Sequence, residues 1–193
     1  DQLSLLKSDV SSHYSFSKGS SAQSYPVSLM GSVALLRQTY YDADWYTKGG
    51  SSKERNLSLE SFAKNLALPS IFDGNSFADL LRADKIGSEF STKYILKTGG
   101  DEYQRISEVK ALGAHLIVPV NFPKTPDLDD PMDAEEVTLE TLKHWEMAPT
   151  NLGALASNGV SFSITTADLV DKTTFLTNIK KAIKLGLTKE AAL

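Results

Sequence analysis

The chain has 193 residues, 41% hydrophobic and 23% charged, which is an ordinary globular composition and long enough for one sizeable core. A net charge of −4 gives no electrostatic reason to expect nucleic acid or an anionic membrane as partner. The absence of Cys excludes disulfides, thiolate chemistry and Cys-ligated metal without identifying a compartment, and no apolar run is long enough to span a bilayer. The chain begins at Asp1, shows no charged-then-apolar signal segment, and stops at Glu190–Leu193 as if in the first turns of a helix; a piece of a longer protein is expected.

Residues 1–25 are rich in Ser and read as an arm or loop. The Ser/Gly stretch around Lys18-Gly19 has the composition of a phosphate cradle but lacks a Lys-Ser/Thr ending and a preceding strand, which favours a flexible segment. Helix is predicted from near Ser28, with Leu29, Val33, Leu36, Tyr40 and Ala43 at three- and four-residue spacing, until Lys48-Gly49-Gly50 stops it. A short helix follows over about 59–66. Three apolar strands, 68–72, 93–97 and 116–120, then alternate with two amphipathic helices, and that alternation makes neighbouring strands parallel. Ser76 and Asp79 are placed as in a capping box, and Gly113 closes the second helix as a left-handed cap. Beyond Phe122 the pattern is interrupted by the proline-containing acidic loop KTPDLDDPMDAEE. Short helices at about 139–145 and 151–156 lead to a fourth strand, 160–165, and a strong helix carrying Phe175, Leu176, Ile179, Ala182 and Ile183 on one face, ended by Gly186. Four strands each followed by helix describe either half of a (β/α)8 barrel or one side of an open doubly wound sheet.

In either arrangement the binding face lies at the carboxyl ends of the strands and in the loops that follow. The pocket candidates there are Asp73, Asn75, Lys97, Thr98, Asn121, Lys124, Thr166 and Asp168. Lys97 and Lys124 could meet a substrate carboxylate or point to solvent. Thr98-Gly99-Gly100-Asp101 precedes a helix and could hold an anion, although a tight turn with a helix start is the simpler reading. Asp127, Asp129, Asp130, Asp133, Glu135 and Glu136 lack the Gly and closing Glu of a calcium loop and read as a solvated acidic loop. Tyr40, Tyr41, Trp45 and Tyr46 on one helix suggest a sugar platform, or core packing with one amphipathic edge.

The phrases SYPVSLMGSVALLRQTYYDADWY, LPSIFDGNSFADLLRADKIGSEF, YILKTGGDEYQRISEVKALG, LIVPVNFPK, KHWEMAPTNLGALASNGVSFSITT and KKAIKLGLTKEAAL carry a resemblance over most of the chain, from about Phe16 to Leu193. Together they resemble the imidazolonepropionase-like branch of the amidohydrolase superfamily, and more narrowly long, exported, two-part proteins of that kind. The resemblance implies that residues 26–193 are a partial (β/α) barrel domain, α/β in class, whose parallel strands alternate with helices and are the fifth to eighth of a TIM-like (β/α)8 amidohydrolase barrel. It implies hydrolysis of C–N bonds in linear or cyclic amides, and export to the periplasm or cell envelope.

Members of this family hold one or two divalent metals, such as Zn, through two His on the first strand, a His on the fifth, a His on the sixth and an Asp on the eighth. The first strand is absent from this chain. Against the other ligands this sequence sets Asp73-Gly74-Asn75, Thr98, and Ala167 with Asp168 one position later. His13 lies in the Ser-rich arm, His115 at the entrance of a strand and His144 beside Trp145 on a helix, none with a second His at ligand spacing. The usual metal centre is therefore expected to be missing and no cofactor to belong to this chain; a metal held by Asp73 and Asp168 is the other option. No catalytic residue is assigned. The function expected is an amidohydrolase-like domain supplying scaffold and pocket wall, or a pseudoenzyme barrel used for binding or assembly. The partner expected at the open strand edges is the rest of the barrel or a second copy, unless the arm covers them, with a small-molecule ligand possible and neither nucleic acid nor membrane.

Overall fold

The structure is a computed structural model and describes residues 6–193; the first residues of the Ser-rich arm, 1–5, lie outside the described residues. Five strands, β1 (Ser12–Ser15), β2 (Ser70–Asp73), β3 (Tyr94–Lys97), β4 (Leu116–Pro119) and β5 (Phe162–Thr165), form one parallel sheet in chain order. Between β1 and β2 the chain makes α1 (Leu29–Thr47) and α2 (Leu57–Asn65), and between β2 and β3 it makes α3 (Phe77–Glu89). The short α4 (Ile106–Ala111) precedes β4; α5 (Pro131–Glu136), α6 (Leu139–Met147) and α7 (Asn151–Ser157) precede β5; α8 (Phe175–Lys184) follows it.

The parallel α/β class read from the sequence is thus the class observed, with one strand more than the four predicted. The additional strand is β1, inside the stretch read as arm or loop. Its four residues, SHYS, carry too little apolar alternation to be seen alone; their register against β2, Ser12 opposite Ser70 through Ser15 opposite Asp73, makes them a strand. The acidic loop likewise contains a helix, α5, whose N-cap Asp130 accepts the Met132 N–H at 2.8 Å.

The chain divides into two compact units, residues 6–73 with Ala83–Ile95, and Gly74–Arg82 with Leu96–Leu193. The first has an aromatic core. Tyr40 stacks on Phe90 with centroids 4.6 Å apart and meets Phe62 edge-on at 5.2 Å, while Tyr14 meets Tyr94 at 5.4 Å. The Tyr40 and Tyr94 hydroxyls, both buried, share a 2.6 Å hydrogen bond. Helix α1 enters this core through Tyr40, Ala43 and Tyr46, with Ser28 capping it by accepting the Gly31 N–H. Tyr41 and Trp45 stay exposed, which divides the four aromatic residues of this helix between core and surface. The Trp45 ring lies over Gly50, where a Cβ would come within 2.5 Å of it.

The core of the second unit is aliphatic. Leu96, Leu116, Val118 and Val120 are fully buried, as are Leu80, Leu155 and Ala182. The register puts Leu116 beside Phe162 and Val118 beside Ile164 on one face of the sheet, and Ile117 beside Ser163 and Pro119 beside Thr165 on the other. The first face is the more deeply buried. Gly153 lets α7 run against the turn that ends α8, since a Cβ there would lie 2.8 Å from the Gly186 carbonyl carbon. Leu176, predicted on the buried face of α8, is 65% exposed; Ala182 carries the burial of that helix.

Candidate functional site

The turn after β3 is closely tied to the connection after β2. Gly99 sits so close to the preceding connection that a Cβ would lie 2.2 Å from the Asn75 carbonyl oxygen. Gly74 N–H donates to Lys97 O at 2.9 Å, and Phe77 N–H donates to Asp101 Oδ1 at 2.8 Å. Asp101 therefore supplies a carboxylate to the start of α3, where Ser76 Oγ also accepts the Asp79 N–H at 3.4 Å. A carboxylate already holds this helix start, and α4 after the turn is a short helix, so the Thr98–Asp101 stretch is a turn and cap rather than an anion cradle. Gly99→Ala is expected to force the Asn75 backbone away and cost about 2 kcal/mol, read as a lower urea midpoint with an unchanged slope.

Beneath the turn lies Glu102, fully buried. Asn151 Nδ2 donates to its Oε2 at 2.5 Å, Gly100 N–H donates to Oε1 at 3.2 Å, and Asn151 Oδ1 accepts the Tyr103 N–H at 2.8 Å. Thr98 Oγ1 is also buried and meets no partner of good hydrogen-bond geometry; the Glu102 carboxyl is its polar neighbour. Burial pushes the Glu102 carboxyl above the usual carboxylate range, more than the Asn151 hydrogen bond pulls it down. Burial raises Asp101 in the same way, offset in part by the Phe77 N–H.

Above it, Gly99, Gly100, Asn121, His144 and Asn151 line a cleft of about 10 Å³, about the room one water needs. His144 is held by Tyr103, whose hydroxyl lies 3.1 Å from its Nδ1 and whose ring stacks on it at 6.1 Å. The structure thus brings Asn121 to the Gly99-Gly100 turn. It also brings Lys97 Nζ within 3.1 Å of Asp168 Oδ2, Asp168 taking a left-handed φ of 64° that Asp tolerates better than most residues. Asp73 ends β2 in the other unit. Asn75 is exposed, with its N–H donating to Asp79 Oδ2 at 3.3 Å, and Lys124 and Thr166 are exposed.

The sequence reading missed Glu102, Asn151 and Tyr103. A signal for Glu102 was present in its spacing, four and seven residues before Ile106 and Val109, which puts a carboxylate on the buried stripe of the turn that follows β3. Asn151 and the pairing of Tyr103 with His144 left no such mark.

Among the described residues no group of three or more His, Cys, Asp or Glu is placed to hold a metal ion. The histidines are engaged elsewhere: His13 with Ser11 at 3.0 Å, His115 with Ser161 at 2.8 Å and Ser163 at 2.9 Å, and His144 with Tyr103. Asp168 has an ammonium against it and Thr98 offers a buried hydroxyl, so these side chains do not fit a divalent cation. The acidic loop spends Asp127 on the Asp129 N–H and Asp130 on the α5 start.

No protein-family model matches this chain, and no curated protein does. A solved structure does, the crystal structure of an amidohydrolase from Thermotoga maritima MSB8, with a TM-score of 0.63 and 18% sequence identity. The chain has the fold of part of an amidohydrolase. The match covers 86% of this chain and 43% of the amidohydrolase, so the chain spans less than half the length of that protein. At this identity the amidohydrolase likeness is one of backbone, and the chemistry has to be argued from side chains.

Proposed function

We propose that this chain is an amidohydrolase-like domain of a hydrolase acting on C–N bonds, of the imidazolonepropionase-like kind, and that it supplies barrel wall and pocket rather than the metal centre. The shared fold supports the first half of this reading. The second rests on the Lys97–Asp168 ion pair: the carboxylate that a metal reading would need is held against an ammonium. A divalent metal, where bound, lowers the pKa of water to about 7 and polarises a carbonyl. This chain's own residues instead shape the strand-end face. Glu102 and Asn151 fix the turn after β3, and the Lys97–Asp168 ion pair joins the end of that strand to the connection after β5.

The binding-only reading, a pseudoenzyme barrel that assembles with a catalytic partner, is favoured by the same ion pair and by the absence of a three-ligand group among the described residues. In either case the chain's partner would be the remaining strands of a barrel or a second copy.

Elemental analysis after equilibration with Zn2+ and removal of free ion tests the proposal. Retention far below one metal per chain is expected, unchanged in Asp168→Ala and Asp73→Ala. About one metal per chain, lost in either variant, would place a carboxylate-ligated metal centre in this segment and overturn the reading.

A further inference from the structure

The connection from β1 to α1, residues 16–28, is tied to itself and to α1 by hydrogen bonds. Ser32 Oγ donates to Phe16 O at 2.7 Å, Lys18 Nζ to Gln23 O at 2.8 Å and Tyr25 OH to Gly31 O at 2.9 Å. Between this connection and α1 lies a cleft of about 440 Å³, within the range of small-molecule sites. It lies at the carboxyl end of β1 and within one unit of the chain.

Its lining is of two kinds. Phe16 and Leu35 are apolar, and Leu35 is 42% exposed, which leaves hydrocarbon in contact with water. The polar part is rich in donors. Ser15 Oγ accepts the Ser17 N–H at 3.1 Å, Ser17 Oγ accepts the Gly19 N–H at 3.1 Å, and Ser21 Oγ accepts the Gln23 N–H at 3.3 Å. Each bond uses an acceptor lone pair and leaves the hydroxyl's own proton to donate. Lys18 adds an ammonium with one proton committed to Gln23 O. Among the described residues no Asp or Glu lines the cleft.

The geometry points to a small amphipathic monocarboxylate as the ligand of this cleft, its carboxylate at Lys18 and the Ser hydroxyls and its apolar part against Phe16 and Leu35. A single cation matches a single negative charge. A phosphate would call on the first amides of α1, but Ser28 already caps Gly31 N–H, and Tyr25 and Pro26 lie against Gly31, where a Cβ would come within 3.2 Å of both.

Phenylacetate and phenylacetamide, alike in shape and different in charge, are the probes, titrated into the whole chain at low ionic strength and followed by NMR. Saturable binding of phenylacetate is expected, about tenfold tighter than that of the amide, as a charge-assisted hydrogen bond at an exposed ammonium would give at low salt. Lys18→Met should bring phenylacetate down to the level of the amide and leave the amide unchanged; Leu35→Ser should weaken both alike. Lys18 is exposed, so its replacement is compatible with folding, checked by an unchanged spectrum away from the cleft. Equal binding of acid and amide, no saturable binding of either, or a Lys18→Met variant that behaves as the parent overturns the assignment. That failure would leave the amidohydrolase reading standing, because it rests on the fold and on the Lys97–Asp168 pair.

Discussion

Tyr40→Ala is expected to lower stability by about 3–5 kcal/mol, the range for removing a large aromatic side chain from a well-packed core. Tyr40 touches Phe90, Phe62 and Tyr14, so truncation leaves three rings facing a void as well as the Tyr94 hydroxyl without its partner. Tyr40→Phe keeps the rings packed and removes only the hydrogen bond, at a cost of about 1–3 kcal/mol for a buried hydroxyl left unpaired. Urea titrations of the two variants separate packing from hydrogen bonding; equal losses would show that the ring contacts contribute little. The pair also sets an alkaline limit. Burial pushes the Tyr40 phenol up to about 12 and raises Tyr94 as well, above the ordinary tyrosine value near 10. Folded-state values above the unfolded ones mean that this stabilisation is complete below about pH 10 and is lost as the pH rises toward 12. Phenolate absorbance from these two residues should therefore appear at higher pH than that of an ordinary tyrosine unless the chain unfolds first.

Glu102→Ala is expected to cost about 3 kcal/mol, since it leaves the Asn151 amide and the Gly100 N–H with a buried vacancy in place of an acceptor. Glu102→Gln should cost about 1 kcal/mol in acid, where one of the two donors loses its acceptor, yet behave differently as the pH rises. In the parent protein the buried carboxyl holds its proton after the unfolded chain, with an ordinary Glu near 4.3, has released its own. Its contribution is full below about pH 4 and is lost as the pH climbs through the raised folded value. The Gln variant lacks that loss, so its stability should fall less between pH 4.5 and pH 7.5 than the parent's. Some fall remains because burial raises Asp101 in the same direction. Denaturation midpoints at the two pH values check this; parallel declines in parent and variant would mean that Glu102 is ionised in the fold throughout.

Period and punctuation carried most of the backbone. Phe72, Leu96 and Leu116 mark β2, β3 and β4 because strands covered by helices become short apolar runs, and Gly113, observed at φ 61°, ends its helix as its position suggested. Strand β1 was illegible because its order comes from pairing with a partner more than fifty residues away rather than from its own residues. At the candidate site the strand-end rule named Lys97, Asp168 and Asn121. It could not tell that Lys97 and Asp168 pair with each other, or that Asn121 joins the Gly99-Gly100 turn. Those are distances across separate connections. The role of Glu102 was hidden by its residue type, since a charged residue in a first helical turn is ordinarily solvated and only the packing of Asn151 over it makes it a buried acid.

That the sheet runs in chain order bears on how the chain finds its fold. Each ladder closes over a single intervening connection, and the entropy of closing a connection grows with the logarithm of its length. The two shortest links flank β3, 74–93 and 98–115, whereas 16–69 and 120–161 must close over the outer strands. Pairing around β3 therefore carries the smallest ordering cost, and it gives β1 and β5 a template on which the longer loops can condense.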